Sequence, residues 1–160
     1  MTDEVFSGFG GKVYISNGQV ASTVDSLAEF QALSWIEITP VESVGGFGDQ
    51  ANAVTFNALD QGRIIKKKGS KDAGTVDITV AYNQGNTGQA QIRTADASNN
   101  DWGFKIEYND ASEGSPSQNT EFYFRGHVLG FKQDTLSNDN ILKAVAQVAI
   151  NSAIVENPRV

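Results

Sequence analysis

Residues 34–82 read SWIEITPVESVGGFGDQANAVTFNALDQGRIIKKKGSKDAGTVDITVAY, and this stretch decides the fold. At its start Trp35, Glu37 and Thr39 share one face of an extended chain and Ile36 and Ile38 the other, until Pro40 removes a backbone donor and ends regular pairing. At its end Val76, Ile78, Val80 and Tyr82 alternate with Thr75, Asp77, Thr79 and Ala81, an apolar face against a nearly polar one. Between these strands lie a glycine-rich turn, Val44 to Gly48, and a further strand marked by Val54 and Phe56. The segment from Gln61 to Asp72 lacks core residues except Ile64 and Ile65. It is expected to form the projecting tip of a long hairpin between the Val54 and Val76 strands, with both isoleucines available to a neighbouring subunit.

That segment also concentrates charge. Between Arg63 and Lys71 lie five of the chain's 12 basic residues (Arg63, Lys66, Lys67, Lys68, Lys71) and no acid, while the rest carries seven basic residues against 19 acidic ones, a balance of −12. A protomer polarised in this way can dock its basic segment on the acidic surface of a copy, and a head-to-tail contact of that kind generates rings or filaments. The lysine run has three readings: a solvated loop tip, a subunit contact, or a nucleic-acid contact. The charge segregation favours the second and makes Arg63, Ile64, Ile65, Lys66, Lys67, Lys68 and Lys71 candidate interface residues. Phe47, in the glycine turn, is exposed either to a neighbour or to the core.

Working outward, Lys12 to Ser16 reads as a strand entering an Asn17-Gly18 turn, a dipeptide that accepts positive φ. Trp102, Phe104, Ile106 and Tyr108 form a second apolar stripe. In Glu121 to Lys132, Phe122, Phe124 and Val128 fall on one side and Tyr123, Arg125, His127, Leu129 and Phe131 on the other. Near the end of the chain, Leu142, Ala144, Ala146, Val148 and Ile150 are expected inward. Thr87 to Ala97 is expected as the one real helix, capped by Thr87 and anchored by Ile92. Thr23 to Leu33 reads equally as a short helix or an irregular excursion, and Asn109 to Asn119 as a polar loop. About eight strands and one helix predict a mainly β protein, a two-sheet sandwich or barrel with a flanking helix. The 160 residues suit a single domain over 1–160.

Composition narrows function. There is no cysteine and one histidine, so thiolate chemistry and zinc sites of the usual composition are excluded, and no cofactor or metal is expected. His127 lies in a strand pattern without a Gly-x-Ser-x-Gly elbow, which reads as structural. Asp96, Ser98, Asn100 and Glu107 match four positions of a calcium loop, but Asp101 stands where that loop needs glycine. The lysine run lacks the spacing of a phosphate loop. A net charge of −7 argues against ordinary duplex binding. No apolar run is long enough for a membrane anchor, and Met1 to Glu4 lacks the basic start of a secretory signal.

The 34–82 stretch resembles the major tail tube protein of long-tailed bacteriophages. The Trp35 to Ile38 strand, Val44-Gly45-Gly46-Phe47-Gly48 turn, Asn52 to Phe56 strand, Gly62-Arg63 with Lys68-Gly69, and Asp72-Ala73-Gly74-Thr75 occur in the family's order. The resemblance implies a tail-tube-like fold with a long projecting hairpin and subunits that self-assemble into stacked hexameric rings. Four strands per subunit would close a 24-stranded inner barrel, a passive channel for genome delivery. It implies as partners the protein itself, a tape measure protein, tail initiator and terminator proteins, and DNA passing without specific binding. It places the protein in the virion tail, assembled in the bacterial host cytoplasm, without enzymatic activity. Asp77 and Thr79 then face the lumen or an interface. No additional immunoglobulin-like domain is expected. The alternatives are a tube protein of the type six secretion kind, and a monomeric β-sandwich module binding a ligand through Trp35, Trp102 and tyrosines.

Overall fold

A computed structural model describes residues 4–114 and 117–160. The expectations touching Met1 to Asp3, and Ser115 and Pro116 in the polar loop, lie outside the described residues. The chain is mainly β. Its elements are β1 (Lys12–Gln19), α1 (Leu27–Gln31), β2 (Trp35–Ile38), β3 (Val41–Val44), β4 (Gln50–Asn57), β5 (Ile64–Asp72), β6 (Thr75–Ala81), α2 (Thr87–Asp96), β7 (Trp102–Glu107), β8 (Glu121–Gln133), β9 (Lys143–Ile150) and β10 (Val155–Asn157).

Eight strands form one antiparallel sheet in the order β2-β1-β7-β8-β9-β6-β3, with β10 added on β8; β4 and β5 pair only with each other. The long strand β8 is the seam. Its residues from Glu121 to Gly126 pair with β7, and those from Gly126 to Gln133 pair with β9. Gly126 sits where both ladders meet, and a Cβ there would run into the carbonyl of Ala149. The sheet's two halves thus share one strand, and their apolar faces supply a common core. Val13, Ile15 and Ile38 come from one half, Ile78, Val80 and Val148 from the other, and Phe104 stacks on Phe124 with ring centroids 5.6 Å apart. Each such side chain contributes about 1.5–3 kcal/mol by leaving water.

Helix α2 packs against β1, β2 and β8 through Ile92 and Ala95, both fully buried. Its cap is Asn86 rather than Thr87. The Asn86 side chain accepts from the Gln89 N–H at 3.0 Å and donates to Thr39 Oγ1 at 2.8 Å, so a tertiary contact selects the capping residue. Buried Gln89 is fully satisfied: Nε2 donates to the Thr39 and Ala81 carbonyls at 2.9 Å each, and Oε1 accepts from the Asn83 N–H at 3.0 Å.

Three local departures have physical causes. The Thr23–Leu33 stretch contains the short helix α1, capped by Ser26, because buried Phe30 stacks on Tyr123 at 5.8 Å and its carbonyl accepts from Trp35 Nε1 at 3.1 Å. In β8 the alternation breaks. The pairs Val128↔Val148 and Gly130↔Gln147 leave Leu129 as an extra residue. This bulge inverts the parity, so Phe131 packs on the core beside Phe122, Phe124 and Val128, while Leu129 stands 56% exposed. Leu142 and Tyr108, expected inward or on the apolar stripe, are 54% and 44% exposed, each one step beyond the paired strand residues. Among the described residues no helix is long and apolar enough to cross a membrane.

Candidate functional site

The hairpin is β4–β5: its second arm is Ile64–Asp72 itself, not the expected Val76 strand, which pairs with β3 and β9 in the main sheet. The Val54 strand is its first arm, and every residue of both arms except Ala51 and Gly69 is exposed. Its register sorts the side chains. Phe56 opposes Ile65 and Val54 opposes Lys67, which puts these four on one face; Asn57 opposes Ile64, Thr55 opposes Lys66 and Ala53 opposes Lys68, which puts the other lysines on the second. Between Ala53↔Lys68 and Ala51↔Lys71 the β5 arm carries one extra residue. That bulge brings Lys71 onto the face of Lys66 and Lys68, which its odd number would otherwise forbid. Ile64 and Ile65, both expected to be available to a neighbour, point to opposite faces. Arg63 stands in the turn, and among the described residues none of the five basic side chains forms an ion pair. Phe47 is half-buried, packed edge-on against Phe122 at 5.3 Å.

A second surface lies on β3, β6, β9 and the later part of β8, on the side away from the core. Across it run short rows: Thr75, Ala149, His127; then Asp77, Gln147, Gly130; then Ser43, Thr79, Val145, Lys132. The residues are small or polar, apart from Val145 and from Leu129, which the bulge pushes out. Asp77 is exposed beside a shallow depression of about 220 Å³ that Leu129, Lys132 and Gln147 also line. Lys143 Nζ pairs with Glu42 at 2.9 Å, and Lys132 lines the same depression as Asp77. This four-stranded unit has two edges without a strand partner among the described residues, β3 on one side and the stretch of β8 after Gly126 on the other.

The remaining chemistry-bearing groups serve the fold. Arg125, 9% exposed, donates to Asp101 at 2.6 Å and to the Val24 carbonyl at 2.9 Å, and His127 lies 3.2 Å from the other Asp101 oxygen. Asp101, which breaks the calcium-loop pattern, is thus the partner of a nearly buried arginine. Among the described residues no group of three or more acidic or histidine side chains is placed to hold a metal. Trp102 is buried. Trp35, Tyr14 and Tyr123 surround Lys105 Nζ, at 5.7, 4.2 and 6.0 Å to their ring centroids, so the aromatic face that a ligand-binding module would use is filled by the chain's own ammonium. Burial, with Glu107 beside it, pushes the Tyr14 hydroxyl up to about 12. Burial likewise raises Tyr123, which donates to Glu121.

Comparison with known proteins bears on all of this. The sequence matches the phage tail tube protein family over residues 17–155, which takes in the hairpin and both halves of the sheet. A comparison with curated sequences gives no match. Solved structures with the same fold include a protein of the anti-feeding prophage baseplate (TM-score 0.72, 9% identity, 99% of this chain and 98% of that one). Another is from the sheath/tube terminator of the PVC extracellular contractile injection system (0.69, 8%, 98% and 99%). A third is the SPP1 tail tube protein (0.64, 11%, 92% of this chain and 76% of that one). The family match over nearly the whole chain, on a fold with a basic hairpin and an open four-stranded face, shows that this chain belongs to the phage tail tube protein family.

Proposed function

We propose that the chain assembles with copies of itself into hexameric rings that stack as the tail tube. The two unpaired edges, β3 of one subunit and the later part of β8 of the next, join so that closure removes exposed edges and makes a 24-stranded wall. The observation that carries this reading is the open face of β3-β6-β9-β8. Apart from Leu129 and Val145 its outward side chains are small or polar, with two acids against two lysines, although the chain as a whole is strongly acidic. A hydrophilic, charge-matched surface suits a wall past which DNA and a tape measure protein slide, because no cluster of cations holds the phosphates. Asp77 and Thr79 then face the lumen.

The basic hairpin, with Arg63, Ile64, Ile65, Lys66, Lys67, Lys68 and Lys71, reaches an adjacent subunit, and tail initiator and terminator proteins cap the stack. The tube acts as a passive channel, forms in the host cytoplasm, and is built from one tail-tube-like domain per subunit without a cofactor. A tube subunit of a contractile injection system is the second reading, favoured by the likeness to the sheath/tube terminator of the PVC contractile injection system, and it differs in requiring a sheath around the same ring. Sedimentation and negative-stain microscopy of concentrated protein test the proposal. Stacked rings about one subunit thick are expected; a chain that stays monomeric at high concentration, with an initiator complex present as well, would sink it.

A further inference from the structure

We infer that the apolar face of the hairpin seats in a specific groove of a second copy, between β3 and the end of β7. This rests on the reading of the hairpin as a subunit contact. A two-stranded hairpin in water is marginal by itself, and this one leaves Val54 57%, Phe56 66% and Ile65 37% exposed on a single face. Those three side chains form a short apolar ridge with Lys67 at its end. The matching concavity holds about 610 Å³ and is lined on one side by Val41, Val44 and Phe47 and on the other by Ile106 and Tyr108, with glycines at Gly45 and Gly46 that leave backbone accessible. Glu107 borders it, but its carboxylate is turned to Tyr14 and Asn119, accepting from Tyr14 Oη at 3.3 Å and Asn119 Nδ2 at 2.9 Å, so the groove meets the ridge through its apolar walls and Lys67 stays at the solvent margin. An aromatic anchor in a half-apolar groove is the arrangement that concentrates binding energy. The basic face of Lys66, Lys68 and Lys71 stays outward and speeds encounter without fixing the site.

The absence of cysteine from the chain permits a clean test. One preparation carries Gly46→Cys, where an added Cβ meets no atom within 4 Å; the other carries Val54→Cys. Mixed under assembly conditions and treated with a short flexible bis-maleimide, they are expected to give a covalent heterodimer, while Thr55→Cys, on the opposite hairpin face, gives little with the same Gly46→Cys partner. Phe56→Ala is expected to raise the concentration needed for tube growth about tenfold or more, with Phe56→Leu restoring most of it and neither variant changing the melting temperature of the monomer. Tubes that form without a Val54–Gly46 link, or with equal linking from Thr55, overturn the groove assignment and leave the tube reading standing. So does a link within one chain between Phe9→Cys and Gly46→Cys, since the groove would then belong to the subunit's own exposed Phe9. If the wild-type chain forms no oligomer at all, the tube reading fails and the groove falls with it.

Discussion

At the scale of single residues, the buried polar groups are where substitution discriminates most sharply. Gln89 satisfies the Thr39 carbonyl on one segment and the Ala81 carbonyl and Asn83 N–H on another. Gln89→Leu keeps the volume but strands those groups, so a loss of about 2 kcal/mol or more in denaturant-measured stability is expected. Asp77 offers the opposite case. Being exposed, Asp77→Lys is expected to leave the circular dichroism spectrum and melting temperature unchanged while impairing assembly or DNA passage; unfolding of the monomer would show that the face is assigned wrongly. Titration adds a third test. The folded protein holds Tyr14 neutral up to about pH 12 against an ordinary value of 10.0, so its contribution is complete below pH 10 and is lost as the pH climbs towards 12. Tyr14→Phe is expected to flatten that alkaline decline, measured by chemical denaturation from pH 8 to 12. Residue burial was legible where a stripe was long: Val76, Ile78 and Val80 are all buried as their alternation indicates. It was not legible for Leu129 and Phe131, because a one-residue bulge leaves no mark in composition yet exchanges inside for outside.

Among the elements, the hairpin shows what periodicity conveys and what it cannot. The Val54 and Phe56 alternation correctly signals a strand, but a strand's apolar face is the same in sequence whether its cover is the chain's own core or another molecule. Its neighbours decide, and here they are water. The extra residue in β5 was equally silent, though it determines that Lys71 joins Lys66 and Lys68. Helix α2 was found because its anchor Ile92 and polar ends sit at helical spacing, whereas α1, five residues long, is held by Phe30 and Trp35 packing that only the folded chain creates. For the hairpin, replacing Lys66, Lys67 and Lys68 together by Glu is expected to slow tube growth while changing the monomer's melting temperature little, since exposed charges contribute only about 0–1 kcal/mol each. Light scattering at low and at physiological salt measures this. Normal growth in both would reduce the lysines to a solvated tip. Ile65→Ser is expected to give tubes that dissociate readily on dilution, and Ile64→Ser a smaller effect, because the two lie on opposite faces.

For the whole molecule, the governing feature is that one strand serves both halves of the sheet. Phe124→Ala, at the centre of the shared core and fully buried, is expected to cost about 3–5 kcal/mol and to unfold both halves together in a single transition monitored by circular dichroism and by tryptophan fluorescence. The mainly β character of the fold was readable from the strand count and one-sided stripes, while the handover from β7 to β9 at Gly126 was not, because glycine in a strand is compatible with a bend, a bulge or a close backbone approach alike. The seam has a mechanical side. In the proposed tube, a drag exerted along β6 and β9 passes into β8 and along its continuous backbone to β7 and β1, not across an interface of side chains that can slide. Tension is therefore spread over both ladders at once, and a subunit pulled from its ends in an optical trap should give way in one rupture instead of peeling sheet by sheet.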